Sequence, residues 1–371
     1  MLAFLDLSAA FDTLHRPILL QRLEATFGIS DTVLRWFESY LEVREQSVMV
    51  DKVLSSPSPL QFGVPQGSVL GPILFTLYYK PLSNVICDHE SDYHKYADDT
   101  QLSKGAPPDQ FQSYLCDIQT CNESIVDWMY SNNLRLNTEK TEVLSVASTS
   151  RISSVGRDSV DIRGKRIPFR YSVRNLGVHL DQTLSMQQQI SSVCRVAYLE
   201  LRRIASIRTY PTQSAAAQLV SSAITSRLDC CNSTVAGLPV KQISRLQTVR
   251  NNAAKLVLRK SKYDHVTPLL QELHWLPIKF RSQYSIATLV YRFFDGSLPA
   301  YLSQTLCAYE PTRNLRSSCE KLLKVPTRST KTFGERSFTF LPFLSRTLCH
   351  PISEILQPFC CLNPDSKLTC S

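Results

Sequence analysis

At 371 residues the chain is long enough for two or three domains of about 150 residues each. A hydrophobic fraction of 43% with 20% charged side chains excludes disordered, collagenous and coiled-coil classes. The 41 Lys+Arg against 32 Asp+Glu give a net charge of +9, which favours a polyanionic partner. The charge is unevenly placed. Residues 1–150 carry 10 basic and 19 acidic side chains, whereas residues 151–371 carry 31 and 13.

No apolar stretch reaches the ~18 residues of a membrane span, so no membrane partner is expected. The N-terminus has an acid at Asp6 and no basic lead-in, unlike a signal peptide. None of the twelve cysteines forms a C-x-x-C pair. They read as reduced, mostly buried thiols of a cytoplasmic or nuclear, non-secreted protein. The tail cluster Cys360, Cys361 and Cys370 near Cys349-His350 lacks zinc-ligand spacing.

In chain order, Leu2 to Leu7 is a short apolar run suited to a buried strand, with Asp6 near its end. Pro17 opens a helix through Leu19, Leu20, Leu23 and Phe27, which Gly28 stops. Ser30 or Asp31 caps a second helix carrying Val33, Leu34, Phe37, Tyr40 and Leu41. Gln46 to Leu54 alternates as a strand, broken by Pro57 and Pro59. The Gly/Pro-rich turn from Gly63 to Pro72 feeds an apolar helix from Ile73 to Leu82.

Tyr93 to Ser103 reads as a hairpin with Tyr96-Ala97-Asp98-Asp99 at its tip. Phe111 to Tyr130 is helical by period, and Leu134 to Val146 resumes strand character around Asn137 and Lys140. Ser148 to Arg166 is a polar hairpin or loop, with strand signal again from Arg170 to Leu180. Beyond about residue 185 the pattern becomes helical. Its stripes are Ile190, Val193, Ala197, Leu201 and Ile204; Ile243, Leu246, Val249, Ala253 and Leu256; and Ile286, Leu289, Val290 and Phe293. A boundary near 185 therefore separates an α+β part from a helical part, and periodicity weakens after about residue 300.

The carboxylates carry the chemistry. Two adjacent aspartates at a hairpin tip with a third on another strand end repel one another unless a cation intervenes. Mg²⁺ prefers such oxygens and keeps positions for water or phosphate. Asp6, Asp98 and Asp99 would make a two-metal site able to clamp an in-line displacement at phosphorus. Alone, Asp98-Asp99 would be an ordinary polar turn.

The order of motifs changes that reading. Phe4-Leu5-Asp6 with Ala10-Phe11-Asp12, then Gly63-Val64-Pro65-Gln66-Gly67-Ser68, then Tyr96-Ala97-Asp98-Asp99 resembles motifs A, B and C of reverse transcriptases. The variant is similar to the LINE-type, non-LTR retrotransposon enzymes of the jockey-like clade. Trp128-Met129 with Asn133-Leu134 and Leu136-Asn137-Thr138-Glu139-Lys140-Thr141-Glu142 looks like motif D, and Asn175-Leu176-Gly177-Val178 with Leu180-Asp181 looks like the primer-grip motif E. Ser226-Arg227-Leu228-Asp229 with Cys231-Asn232, and Leu273-His274-Trp275-Leu276-Pro277, resemble the region that follows the polymerase. The likeness runs in order from about residue 2 to 340.

The resemblance implies a right-hand polymerase palm with partial fingers over residues 1–185. A helical thumb or connection follows over 186–300, then a poorly defined region over 301–371. It implies an RNA-directed DNA polymerase that adds deoxynucleotides to a primer 3′-end, with RNA template, DNA primer and deoxynucleoside triphosphates as partners. Asp6, Asp98 and Asp99 would bind Mg²⁺ or Mn²⁺, with Lys140 serving the leaving group. Ala9, Ala10 and Phe11 would meet the nucleotide, Phe11 crowding a 2′-hydroxyl. Gln66 would reach the nucleotide and template, with Gly63 and Gly67 allowing close backbone approach. Asp12 would be structural.

Residues 190–300 carry Arg195, Arg202, Arg203, Arg208, Lys241, Arg245, Arg250, Lys255, Arg259 and Lys260 as cationic faces for a nucleic-acid backbone. Against the family, only five residues precede Asp6, which reads as an N-terminally truncated reading frame. The alternative it carries is an inactive remnant that at most binds nucleic acid.

Overall fold

A computed structural model describes residues 1–42, 44–105, 107, 110–152, 159–310, 322–326 and 334–340. The chain divides into two compact units, Met1–Leu184 and Ser185–Ser371.

The first unit is built on an antiparallel four-stranded sheet. Strand β1, Leu2–Leu5, alternates Ala3, Leu5 and then Leu7 into the core while Phe4 and Asp6 take the other face. Helices α1 (Arg16–Ala25) and α2 (Asp31–Leu41) follow. Pro17 sits in the first turn of α1, and Gly28 at φ +66° reverses the chain after it, as expected. Helix α2 follows its expected bounds, yet only Leu41 is buried and Val33 and Trp36 stand exposed.

The strand expected over 46–54 is not continuous. The segment folds back as two-residue strands β2 (Glu45–Gln46), β3 (Met49–Val50), β4 (Val53–Leu54) and β5 (Ser58–Pro59), pairing β2 with β5 and β3 with β4. Asp51 and Lys52 both take positive φ at the tip, so the chain reverses where alternation alone predicts extension.

The apolar helix expected from Ile73 to Leu82 divides near Pro81, giving α3 (Gly71–Tyr79) and α4 (Leu82–Cys87). Strands β6 (Asp92–Tyr96) and β7 (Asp99–Ser103) form the expected hairpin. Helix α5, Phe111–Ser131, buries Leu115, Ile118, Ile125 and Met129 at helical spacing. The strand expected over 134–146 shrinks to β8, Glu142–Leu144, because Asn137 turns the chain. Its side-chain oxygen accepts from the Glu139 and Lys140 amides at 3.2 and 3.3 Å.

Sheet order is β6-β7-β1-β8. Packed on its core face are Leu74, Phe75, Tyr78 and Tyr79 of α3, with Leu19 and Leu23 of α1. Each such burial contributes about 1.5–3 kcal/mol. The 148–166 region holds a short helix α6 (Thr149–Ile152) and then the hairpin β9 (Ser159–Ile162) and β10 (Lys165–Pro168). A further hairpin, β11 (Ser172–Asn175) and β12 (Val178–Asp181), ends the unit.

The second unit is helical, as its stripes predict. It contains α7 (Gln187–Ile207), α8 (Gln213–Val220), α9 (Ser226–Asp229), α10 (Val240–Val257), α11 (Val266–Glu272), α12 (Ile278–Asp295) and α13 (Ala300–Ser303). Pro239, Pro277 and Pro299 each stand just before a helix, where a fixed φ and a missing amide cost nothing. Gly296 in the left-handed region ends α12.

Two expectations on this unit and on the thiols need correction. Arg208 and Arg250 lie in the core and are not on cationic faces. Arg208 donates to the Leu256 and Val257 carbonyls at the end of α10, while Arg250 lies over the Trp275 ring at 5.0 Å. Among the described cysteines only Cys121 and Cys194 are buried, whereas Cys87, Cys116, Cys230, Cys231 and Cys307 are exposed free thiols. The tail cysteines and His350 lie outside the described residues.

Candidate active site

Strand register assembles the site on the sheet face opposite the core. Leu2, Ala3, Phe4 and Leu5 pair with Ser103, Leu102, Gln101 and Thr100. The pairing of β1 with β7 ends at Leu5 and Thr100, and the next residue on each side, Asp6 just past β1 and Asp99 at the start of β7, lines the same groove. Tyr96 pairs with Asp99 on the other side. One row down, His94, Gln101, Phe4 and Glu142 cross all four strands in line. Both rows line one open groove, which Lys140, Arg174 and Leu176 also border.

Asp98 sits at the hairpin tip beside Ala97, which adopts φ +54°. Such a backbone costs about 1–3 kcal/mol for a non-glycine residue. Burial and then the fields of Asp98 and Asp6 push the Asp99 carboxyl above its ordinary value. The three aspartates therefore share one electrostatic neighbourhood. One Asp6 oxygen, Oδ2, is buried without a hydrogen-bond partner and lies 3.7 Å from Lys140 Nζ. Among the described residues no three His, Cys, Asp or Glu side chains already converge into a set able to hold a metal.

Lys140 reaches Asp6 because the Asn137 turn is tied to the strand end. The Asn137 amide donates to the Asp6 carbonyl at 2.8 Å, and the Lys140 amide donates back to the Asn137 carbonyl at 3.2 Å. Lys140 itself is largely exposed, so the ion pair is weak.

The 9–12 segment borders the glycine-rich turn. Ala9 takes φ +48° and is exposed, while the Ala10 methyl is buried, so Ala10 offers only backbone. The Phe11 ring lies 4.7 Å from that of Phe75. The Val64 amide donates to the Phe11 carbonyl and the Gly63 amide to the Leu14 carbonyl. A Cβ on Gly63 would stand 2.9 Å from the carbonyl oxygens of both Phe11 and Asp12. Crowding and φ +83° together require glycine there. Gly67 is different. A Cβ there meets nothing within 4 Å, so only its φ of +81° demands glycine, and the expected close approach does not come from the protein itself. Gln66 Nε2 donates to Asp12 Oδ1 at 2.9 Å, which gives Asp12 its structural task.

Beneath this face, the Tyr79 hydroxyl bonds Thr100 Oγ1 at 3.0 Å, and burial holds it protonated well above the phenolic range. Lys95, donating to the Tyr79 carbonyl, is lowered to about 8 by burial and then by Lys80.

The register thus brings Asp6, Asp99 and Lys140 to one groove, with Asp98 at its rim. Separately, the glycine-rich turn, bonded to the backbone of residues 11–14, brings Gln66 to Asp12. Residues 1–180 match the family model described as "Reverse transcriptase (RNA-dependent DNA polymerase)". Residues 1–180 belong to the reverse transcriptase family.

The relatives of this reverse transcriptase domain point the same way. The chain is 31% identical over 201 residues to the RNA-directed DNA polymerase from mobile element jockey of Drosophila melanogaster. It is 30% identical over 200 residues to the jockey polymerase of Drosophila funebris. A probable RNA-directed DNA polymerase from transposon BS of Drosophila melanogaster is 26% identical over 211 residues. These matches take in 52%, 51% and 54% of this chain but only 20%, 20% and 22% of the relatives. The domain is therefore similar to those of jockey and related mobile elements, and the chain spans about a fifth of the length of the relatives it matches.

Sequence reasoning passed over His94, Gln101 and Arg174, which share the groove of this reverse transcriptase domain. For Gln101 a signal existed. Alternation along β7 puts it on the face of Asp99, two residues away.

Proposed function

We propose that the groove carries RNA-templated deoxynucleotidyl transfer to a primer 3′-end, with the first unit as palm and the second as a helical thumb or connection. The observation that supports this most is that Asp6 and Asp99 line one groove, close enough for Asp6 to raise the Asp99 carboxyl, in a reverse transcriptase domain. The donor set suits a hard divalent cation. It combines a buried Asp6 oxygen without a hydrogen-bond donor and a neighbour, Asp99, whose carboxyl is raised by burial and then by the fields of Asp98 and Asp6. Asp6 and Asp99, with Asp98 at the rim, would hold Mg²⁺ or Mn²⁺, water and phosphate oxygens completing the shell. A bound metal would supply charge neutralisation at the triphosphate and a more acidic primer hydroxyl.

The protein's own groups do the rest. Phe11, oriented by Phe75, limits the space beside the nucleotide sugar and favours a deoxyribose. Gln66, steadied by Asp12, presents its amide to the nucleotide and template. Lys140 rests against Asp6 and swings to the triphosphate, where its charge stabilises departing pyrophosphate. Exposed cations of the second unit, such as Arg195, Arg202 and Lys241, hold the duplex backbone through salt-sensitive contacts.

Primer extension on an RNA template with Mg²⁺ tests this reading. The unmutated chain extends the primer, and Asp6→Asn or Asp98→Asn lowers the rate by at least about a hundredfold. No extension by the unmutated chain, alongside salt-sensitive RNA binding, would leave only a nucleic-acid-binding remnant.

A further inference from the structure

Three sulfur-bearing residues of the second unit border one small cavity. Its volume is about 20 Å³, and Met186, Cys230 and Cys231 line it. That is room for a single water-sized body. Ile190, Leu228 and Val235 supply apolar walls, and Arg227 adds a guanidinium. Met186 is only 3% exposed, whereas both cysteines are exposed free thiols. The cavity therefore combines a buried thioether residue with two accessible thiols.

The backbone fixes the two cysteines there. Helix α9 ends at Asp229, and the Cys230 amide still donates to the Ser226 carbonyl at 3.1 Å. Cys231 then takes φ +54°, and its carbonyl accepts from Thr234 Oγ1 at 2.7 Å. Met186, just ahead of α7, is also left-handed at φ +59°. Such backbones are costly for non-glycine residues and persist only where the surroundings hold them. The two thiols are hydrogen-bonded to each other, and burial and then Cys230 push the Cys231 thiol above its ordinary value. Neighbouring thiolates repel until a cation bridges them. A direct S–S bond does not suit them, because adjacent Cα atoms stand about 3.8 Å apart, short of the ~4.4–6.8 Å that disulfides span.

We propose that Cys230, Cys231 and Met186 form a binding site for a soft monovalent cation, Cu⁺. Two thiolates and a thioether are the soft donors that select Cu⁺ over the hard ions suited to the aspartates of the first unit. The charges agree. Two thiolates and Cu⁺ sum to −1, which Arg227 offsets, whereas Zn²⁺ would leave the guanidinium uncompensated. Binding releases both thiol protons, so two R–SH and one Cu⁺ give Cu(SR)₂⁻ and two H⁺. The site stands independently of the polymerase reading.

The test titrates Cu⁺ anaerobically into the reduced full chain against bicinchoninate, a chromophoric Cu⁺ chelator. The background carries Cys319→Ser, Cys349→Ser, Cys360→Ser, Cys361→Ser and Cys370→Ser, which removes the thiols of the C-terminal region. One ion per chain should be withdrawn from the chelator, with a rise in ultraviolet thiolate-to-copper absorbance. Cys230→Ser or Cys231→Ser lowers the affinity by more than about a hundredfold, and the volume-conserving Met186→Leu by roughly tenfold. Cys116→Ser, at another exposed thiol, leaves it unchanged. X-ray absorption should show sulfur neighbours alone. Metal-free thermal melts matching the background show that the variants fold, so that lost binding reports on the ligands. Copper retained when Cys230→Ser and Cys231→Ser are combined, unchanged affinity in Met186→Leu, equal loss in Cys116→Ser, or displacement by Zn²⁺ would overturn the proposal.

Discussion

Gln66 Nε2 donates to Asp12 Oδ1 at 2.9 Å, joining two residues 54 positions apart. Around them, the backbone of the glycine-rich turn is hydrogen-bonded to that of residues 11–14, so the two segments form one rigid edge. The side chain proposed to face the nucleotide is thus held by the Asp12 carboxylate.

Asp12→Ala removes that hold without touching the other carboxylates. The expected result is a rise of roughly threefold to tenfold in the KM for deoxynucleotide, with the primer–template KM unchanged. Asp12→Asn keeps an acceptor and should behave nearly as the unmutated chain. Steady-state kinetics on both substrates checks this, and equal effects of the two substitutions would reject it.

The two glycines of the turn should respond differently to alanine. At Gly63 the new methyl would meet two backbone carbonyls at 2.9 Å in addition to an unfavourable φ, a loss of about 3 kcal/mol or more. At Gly67 only the φ term applies, about 1 kcal/mol. Urea denaturation midpoints of the two variants separate these values.

Asp99 gives a pH signature. Its carboxyl is raised by burial, then Asp98, then Asp6, so the native state holds that proton more tightly than the unfolded chain. The stabilisation is complete below the unfolded value of 3.8 and is lost as pH rises through the folded value. In metal-free buffer, Asp99→Asn should therefore be more stable than the unmutated chain at pH 7. The difference should disappear below about pH 4. Thermal melts across that range measure it, and adding Mg²⁺ should narrow the gap at pH 7.

In the second unit, Asp229 forms a two-pronged pair with Arg281, and both lie near the buried Arg250. Arg250 has two nitrogens, Nε and Nη1, without partners, and burial followed by Arg281 lowers it to about 10. Asp229→Ala leaves two arginines uncompensated and should cost about 3 kcal/mol. Arg250→Met removes a costly charge while keeping apolar bulk over Trp275, and should be near neutral. Chemical denaturation distinguishes them. A larger loss for Arg250→Met would show that Arg250 is the keystone instead of Asp229.

Much of the framework is written locally. The 2.0 and 3.6 periodicities reveal β1, the β6–β7 hairpin, α5 and the three long helices of the second unit, because each depends on neighbours within about a dozen residues. The spacing of aspartates, glycines and Gln66 likewise points to the chemistry in chain order. Alternation even tells which face Asp6 occupies, since Ala3, Leu5 and Leu7 must take the other.

What local pattern leaves open is every relationship across the chain. Asp6 shares a groove with Asp99 only because β1 pairs with β7 in one register, and a slip of one residue would turn either carboxylate into the core. Gln101 finds Asn175 from 74 positions away, and nothing near either residue announces the other. Arg208 and Arg250 have the composition of surface residues, yet helix ends and an aromatic ring bury them. Residues 46–54 alternate as a strand should, but the chain turns at Asp51 and Lys52 and pairs with itself. In each case the outcome depends on competition among pairings and packings, and that energy does not exist until distant segments are brought together.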